Sequence, residues 1–241
     1  MKPTTVEIVF LIDTSESMRP CIEGLSKNLD QLILPFQGYN FKLRFGLLGY
    51  SIGKTTGGGM LISSVTLDGD LSTIYKNSPL LFTDNAQEFS QKIKSLTVAG
   101  DENHLLALDC AFDFPFGPVH STRRVVCLFS DEKIEDGMIG NPDPHLVVEK
   151  LCKKAMARKI LLYMALPGSP LLDDLAAIPC AQIEPVIGGD GLKSINFSKL
   201  LSQMGKSISV SSLQGNEGAY DRAIHGQDNM GTGEGSFEGM R

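Results

Sequence analysis

Cysteine is scarce and scattered in this chain. Its 241 residues include five cysteines, at positions 21, 110, 127, 152 and 180. An odd number with no Cys-x-x-Cys pair excludes a zinc ribbon and argues against a disulfide framework, so reduced thiols are expected. Basic charge is also short. Lys and Arg number 22 against 28 Asp and Glu, a net charge of −6. That balance provides no whole-domain basic footprint for nucleic acid or an anionic membrane. Long apolar runs are missing too. The run near the N-terminus, Ile8 to Ile12, ends in Asp13 and is far below the ~20 residues a spanning helix needs. Glu7 interrupts the stretch after Lys2, which makes a poor signal-peptide core. The expectation is a cytoplasmic protein.

Phosphate-binding and nucleophile motifs are equally incomplete. Gly53-Lys54-Thr55 resembles half a P-loop, but the glycine required five residues earlier is Leu48. No Gly-x-Gly-x-x-Gly follows a strand. Gly168-Ser169-Pro170 lacks the glycine spacing of a nucleophile elbow. No internal repeat is visible.

What the chain does contain is enough apolar material for a core, 42% of its residues. Val6 to Ile12, apart from Glu7, is rich in β-branched and apolar residues on both alternations, as a strand covered on both faces should be. A helix is expected from Pro20 to Leu34, with apolar residues at steps of three and four, Pro20 in its first turn and Pro35 ending it. Further strands are expected at 41–51, 124–129, 159–165 and 181–187, with shorter extended pieces at 60–67 and 80–82. Further helices are expected at 83–96, 102–112, 144–158, 171–177 and 197–210. Strands alternating with helices predict an open, mostly parallel α/β sheet, three layers deep and doubly wound. Ligands in such sheets sit at the carboxyl ends of the strands, where strand order reverses. Residues 1–210 form the expected domain. Residues 211–241 read as a flexible Gly-rich tail. Seven of the 25 glycines fall in 215–241, and such composition buries too little surface to order itself. The alternative is a tethered segment that docks on a partner, or on the protein's own metal site through Glu234 or Glu238.

Asp13-x-Ser15-x-Ser17 follows the first buried strand directly. Oxygen-only side chains on a tight turn suit a hard divalent cation, Mg²⁺ above all, with Mn²⁺ and Ca²⁺ as other candidates. Two hydroxyls and one carboxylate leave room for waters and an open position for an outside acid. Asp131 ends another strand, where it can accept hydrogen bonds from metal-bound water. The same residues also suit helix capping, since Ser and Asp satisfy free amides at such turns.

A hydrophobic strand, then Asp-x-Ser-x-Ser-Met, then a helix resembles a von Willebrand factor type A domain with its metal-ion-dependent adhesion site. The resemblance spans residues 5–210. It implies a non-catalytic protein that binds protein partners through the cation, with a partner's acidic residue completing the site. It also implies Asp13, Ser15 and Ser17 as ligands and Asp131 as the residue that orients water. The family's Asp-Gly after the fourth strand is here Asp131-Glu132. Its Gly-x-Thr maps onto Ala99-Gly100-Asp101-Glu102-Asn103, which has no threonine; Glu102, or neighbouring Asp101, fills that slot. A carboxylate there crowds acids around one pocket and should raise at least one pKa without metal. It can also occupy the position a partner's acid would take. Intracellular members of the family act as adaptors or assembly factors in bacterial stress-response, metal-insertion or defence systems.

Rival readings are a metal-free interaction module and a Mg²⁺-dependent hydrolase of the haloacid dehalogenase type. The latter needs a second carboxylate two residues after the first as general acid, and Ser15 stands there. Among the other candidates, His104 reads as a surface helix residue. His120, His145 and His225 have no partners at metal-ligand spacing. Lys150, Lys153, Lys154, Arg158 and Lys159 form a solvated face or a dock for an acidic partner. Phe114-Pro115-Phe116 is a packed loop or an exposed anchor.

Overall fold

The computed structural model describes residues 4–50, 81–98, 103–135, 143–179 and 181–214. Five strands form one parallel sheet: β1 (Thr5–Asp13), β2 (Lys42–Tyr50), β3 (Thr122–Phe129), β4 (Ile160–Leu166) and β5 (Gln182–Pro185), in the order β2-β1-β3-β4-β5. The register pairs Asp13 with Tyr50 on one side of β1 and Ile12 with Phe129 on the other. The chain therefore builds outward from β1 to β2, then returns across β1 to continue with β3. That reversal opens a crevice between the carboxyl ends of β1 and β3.

The helices are α1 (Arg19–Ile33), α2 (Ala86–Lys94), α3 (His104–Phe112), α4 (Pro144–Arg158), α5 (Pro170–Leu175) and α6 (Phe197–Gln214). Alternate residues of β1 face opposite layers. Val6, Ile8, Phe10 and Ile12 pack toward α1, α2 and α6, while Val9 and Leu11 pack toward α3, α4 and α5. Both faces of β1 are buried, as its continuous apolar run required. Sequence cues also account for the helix starts. Asn85 caps α2, Asn103 caps α3 by accepting from the Leu106 amide, and Asp143 caps α4 ahead of Pro144. Lys159, expected to open β4, instead ends α4 in the left-handed conformation (φ 53°). The last helix continues past Val210 to Gln214.

Close backbone approach joins α6 to α1. A Cβ on Gly205 would lie 2.3 Å from the Leu32 carbonyl oxygen, and one on Gly24 would meet the Phe197 ring at 2.2 Å. Buried Arg123 donates from Nη2 to the Ser211 carbonyl, tying the start of β3 to the end of α6. Phe114 is fully buried and packs with Phe82 and Phe116, so the Phe-Pro-Phe segment is a packed loop. Lys153 pairs with Glu149, Lys154 with Asp109 and Asp113, and Arg158 with Asp113. Much of the basic face is thus neutralised within the protein. Cys21, Cys110 and Cys127 are buried, Cys152 is half-buried, and none of the four is disulfide-bonded. Among the described residues no helix is long and apolar enough to cross a membrane. The pieces expected at 53–59 and 60–67, the residue Cys180 and the tail from 215 lie outside the described residues.

Candidate metal centre

Asp13 is the last residue of β1, and the chain turns at once through a 3₁₀ turn, Glu16–Met18, into α1. Neither Ser15 nor Met18, the residues at the starts of these two helical pieces, makes a side-chain cap bond. The capping alternative is therefore not what occupies the serine hydroxyls. Ser15 Oγ and Ser17 Oγ lie 3.1 Å apart, and Ser17 Oγ donates to Asp131 Oδ1 at 2.9 Å. Asp13 Oδ1 accepts from the Ser15 amide at 2.7 Å. The four residues expected to share a site, Asp13, Ser15, Ser17 and Asp131, thus converge at the crevice between β1 and β3. Asp13 and Asp131 are fully buried, while Ser17 is exposed, so the cluster opens to solvent at Ser17. The other two candidates, Asp101 and Glu102, lie outside the described residues.

Two carboxylates buried together carry a cost. Burial pushes the Asp13 carboxyl up to about 6, and the Asp131 charge adds to the rise, against the Ser15 amide and the Ser130 and Ser15 hydroxyls. Cys21 lies under the same charges, and burial followed by Asp13 and Asp131 raises its thiol well above the ordinary range. The donor set fits a hard cation: only oxygen atoms, two of them hydroxyls, and carboxylates held short of full solvation. No group of three or more His, Cys, Asp or Glu side chains that could hold a metal occurs among the described residues. A cation held by these described residues would therefore need oxygen from the serine hydroxyls as well as the carboxylates.

Sequence reasoning missed a second tier of groups. Ser130, fully buried, donates to Asp13 Oδ2 at 2.8 Å and accepts from the Glu132 amide at 3.0 Å. His104, expected at the surface, is only 5% exposed and places Nε2 2.9 Å from Ser130 Oγ. Topology buries it: the first turn of α3 lies against the end of β3, beside Tyr50, whose ring meets the imidazole edge-on at 5.9 Å. Burial pushes His104 down to about 4, so it is neutral at physiological pH. A buried serine beside an imidazole suggests a nucleophile and its base, but Ser130 is sealed from solvent and directs its hydrogen to Asp13. The third element is the loop after β5. Gly189 donates to the Asp131 carbonyl at 2.8 Å, and Gly191 donates to Asp131 Oδ2 at 2.7 Å. Gly191 needs its lack of side chain twice over: φ is +63°, and a Cβ would lie 2.0 Å from the Ser17 carbonyl oxygen. The run Gly188-Gly189-Asp190-Gly191 was the available signal.

No family model and no curated protein matches the chain. Solved structures do. A von Willebrand factor type A protein from Catenulispora acidiphila matches with a TM-score of 0.52 and 14% identity, over 84% of this chain and 43% of that one. The pilus adhesin SpaC from Lactobacillus rhamnosus GG matches in its open conformation with a TM-score of 0.53 and 12% identity, over 87% of this chain and 30% of the adhesin. A second form of the adhesin matches with a TM-score of 0.54 and 12% identity. The chain spans less than half the length of each, and identities this low speak for the fold alone. In fold, this α/β protein is similar to von Willebrand factor type A domains.

Proposed function

We propose that the protein is a non-catalytic interaction domain that holds a divalent cation, Mg²⁺ first among the candidates, at the carboxyl ends of β1 and β3. The observation that carries this reading is the meeting of Ser15 Oγ, Ser17 Oγ and the Asp13 and Asp131 carboxylates, with no serine hydroxyl engaged in a helix cap. Asp13, Ser15 and Ser17 would hold the cation and Asp131 would orient its water. Glu102 or Asp101 would stand where the family has threonine. The cation would supply a Lewis-acidic position for an acidic side chain of a protein partner. The setting we infer is cytoplasmic, as an adaptor or assembly factor in a bacterial stress-response or defence system, by resemblance to intracellular members of the family.

The test is calorimetric titration of metal-stripped protein with Mg²⁺, Mn²⁺ and Ca²⁺, repeated on Asp13→Ala. One saturable site lost in the variant is expected. Wild-type protein that takes up none of the three sinks the reading. A metal-free interaction module would then stand, and one observation favours it. Each buried carboxylate already has at least two protein donors, among them the Ser15 amide and Ser130 on Asp13, and Ser17 and the Gly191 amide on Asp131.

A further inference from the structure

We propose that His104 is a positioning residue for the cation site: through Ser130 it sets the direction in which the Asp13 carboxylate faces the metal. The inference rests on the cation-binding reading above and adds to it a residue from α3 with no ligand role.

A serine hydroxyl has one hydrogen and two acceptor sites. Ser130 gives its hydrogen to Asp13 Oδ2 and accepts from the Glu132 amide. Its second acceptor site faces His104 Nε2 at 2.9 Å. An ionised carboxylate only accepts, so Nε2 carries the ring proton and donates. With both acceptor sites occupied by donors, the Ser130 hydrogen has no direction left except Asp13. Asp13 is then held at both oxygens, by Ser130 at Oδ2 and by the Ser15 amide at Oδ1. A carboxylate offers about four lone-pair sites; those that these bonds leave open are fixed in space toward Ser15 and Ser17. The imidazole itself cannot swing away, being buried beside Tyr50 at the capped start of α3. Remove the His104 donor and the hydroxyl gains a second orientation, so Asp13 loses its fixed plane. Groups that orient metal ligands in this way typically change affinity 10–100-fold when removed.

The experiment is Mn²⁺ titration of wild type, His104→Gln, His104→Asn, Ser130→Ala and the double variant His104→Asn/Ser130→Ala. Melting in EDTA confirms that each is folded. Gln carries an N–H at the reach of Nε2, whereas Asn carries one only at the reach of Nδ1. His104→Gln should bind within about threefold of wild type, and His104→Asn and Ser130→Ala should each lose 10–100-fold. The double variant should lose no more than Ser130→Ala alone, because the two residues act in one chain. A folded His104→Asn that binds like wild type overturns the inference and leaves the cation reading intact. So do losses that multiply in the double variant, or a His104→Gln as weak as His104→Asn. Wild-type protein that binds none of Mn²⁺, Mg²⁺ and Ca²⁺ overturns both.

Discussion

Asp13 and His104 sit two hydrogen bonds apart, through Ser130, and burial moves their protons in opposite directions. In the metal-free protein Asp13 is raised from 3.8 to about 6, so between those values the folded state keeps a proton that the unfolded chain has released. Its contribution to stability is full below pH 3.8 and is lost as pH rises through about 6. His104 is lowered from 6.5 to about 4, so the folded state is neutral where the unfolded chain is charged. Its contribution is full above pH 6.5 and is lost as pH falls through about 4. The two slopes oppose each other over about pH 4–6 and leave the pair nearly silent in wild type. His104→Gln removes one of them. Relative to wild type, the metal-free variant should lose stability as pH rises from 4 to 6.5, by about 3 kcal/mol for a shift of this size. Urea unfolding at half-unit pH steps measures it, and a difference that stays constant with pH contradicts the assignment. Of the residues in this chain of bonds, only Asp13 was legible as a site residue in the sequence. A lone histidine near a helix start carries no pattern, and Ser130 was overshadowed by the acid that follows it.

Among the elements, the loop after β5 matters more than its length suggests. Gly189 and Gly191 grip Asp131 from two sides, and Gly191 passes against the turn that carries Ser17. Gly191→Ala adds a Cβ where φ is +63° and the Ser17 carbonyl oxygen would stand at 2.0 Å. Strain and overpacking together should cost roughly 2–4 kcal/mol. Cation affinity should fall with it, since Asp131 loses its amide donor. Gly168→Ala is the control: a Cβ there meets nothing within 4 Å, and the change should stay within about 0.5 kcal/mol. Thermal melts of both variants in EDTA decide the matter, and equal melting temperatures would contradict this account. The elements themselves were mostly legible. The strand at Val6–Ile12 emerged from its apolar run, and the helix expected at Pro20–Leu34 from apolar periodicity and its flanking prolines, because those signals are local. The left-handed Lys159 was not, because a lysine in that conformation is stabilised by its place between α4 and β4 rather than by its own preference.

For the whole molecule, the cation would join parts of the chain that lie far apart in sequence. Ser17 and Asp131 are separated by 114 residues, and Ser130 and Asp13 by 117. A ligand that binds only the folded arrangement stabilises it by mass action, about 2.7 kcal/mol at one hundred times its dissociation constant. For a chain of this size that is a rise of about 5–10 °C in melting temperature. The rise should vanish in Asp13→Ala, and differential scanning calorimetry with and without saturating Mg²⁺ reads it. A rise of equal size in the variant would place the cation elsewhere.

Local pattern was sufficient for the α/β class, for β1 as a doubly buried strand and for the turn that follows it with Asp13, Ser15 and Ser17. Those features depend on neighbours within a few residues, whose side chains share one strand or one turn. The remainder depended on strand order. Placing β3 beside β1 brings Asp131 to Ser17 and Ser130 to Asp13. The start of α3 then brings His104 to Ser130 across 26 residues, and the loop after β5 brings Gly191 to Asp131 across 60. No periodicity in the chain encodes those meetings, because each is fixed by which element packs against which, and packing is a property of the assembled core.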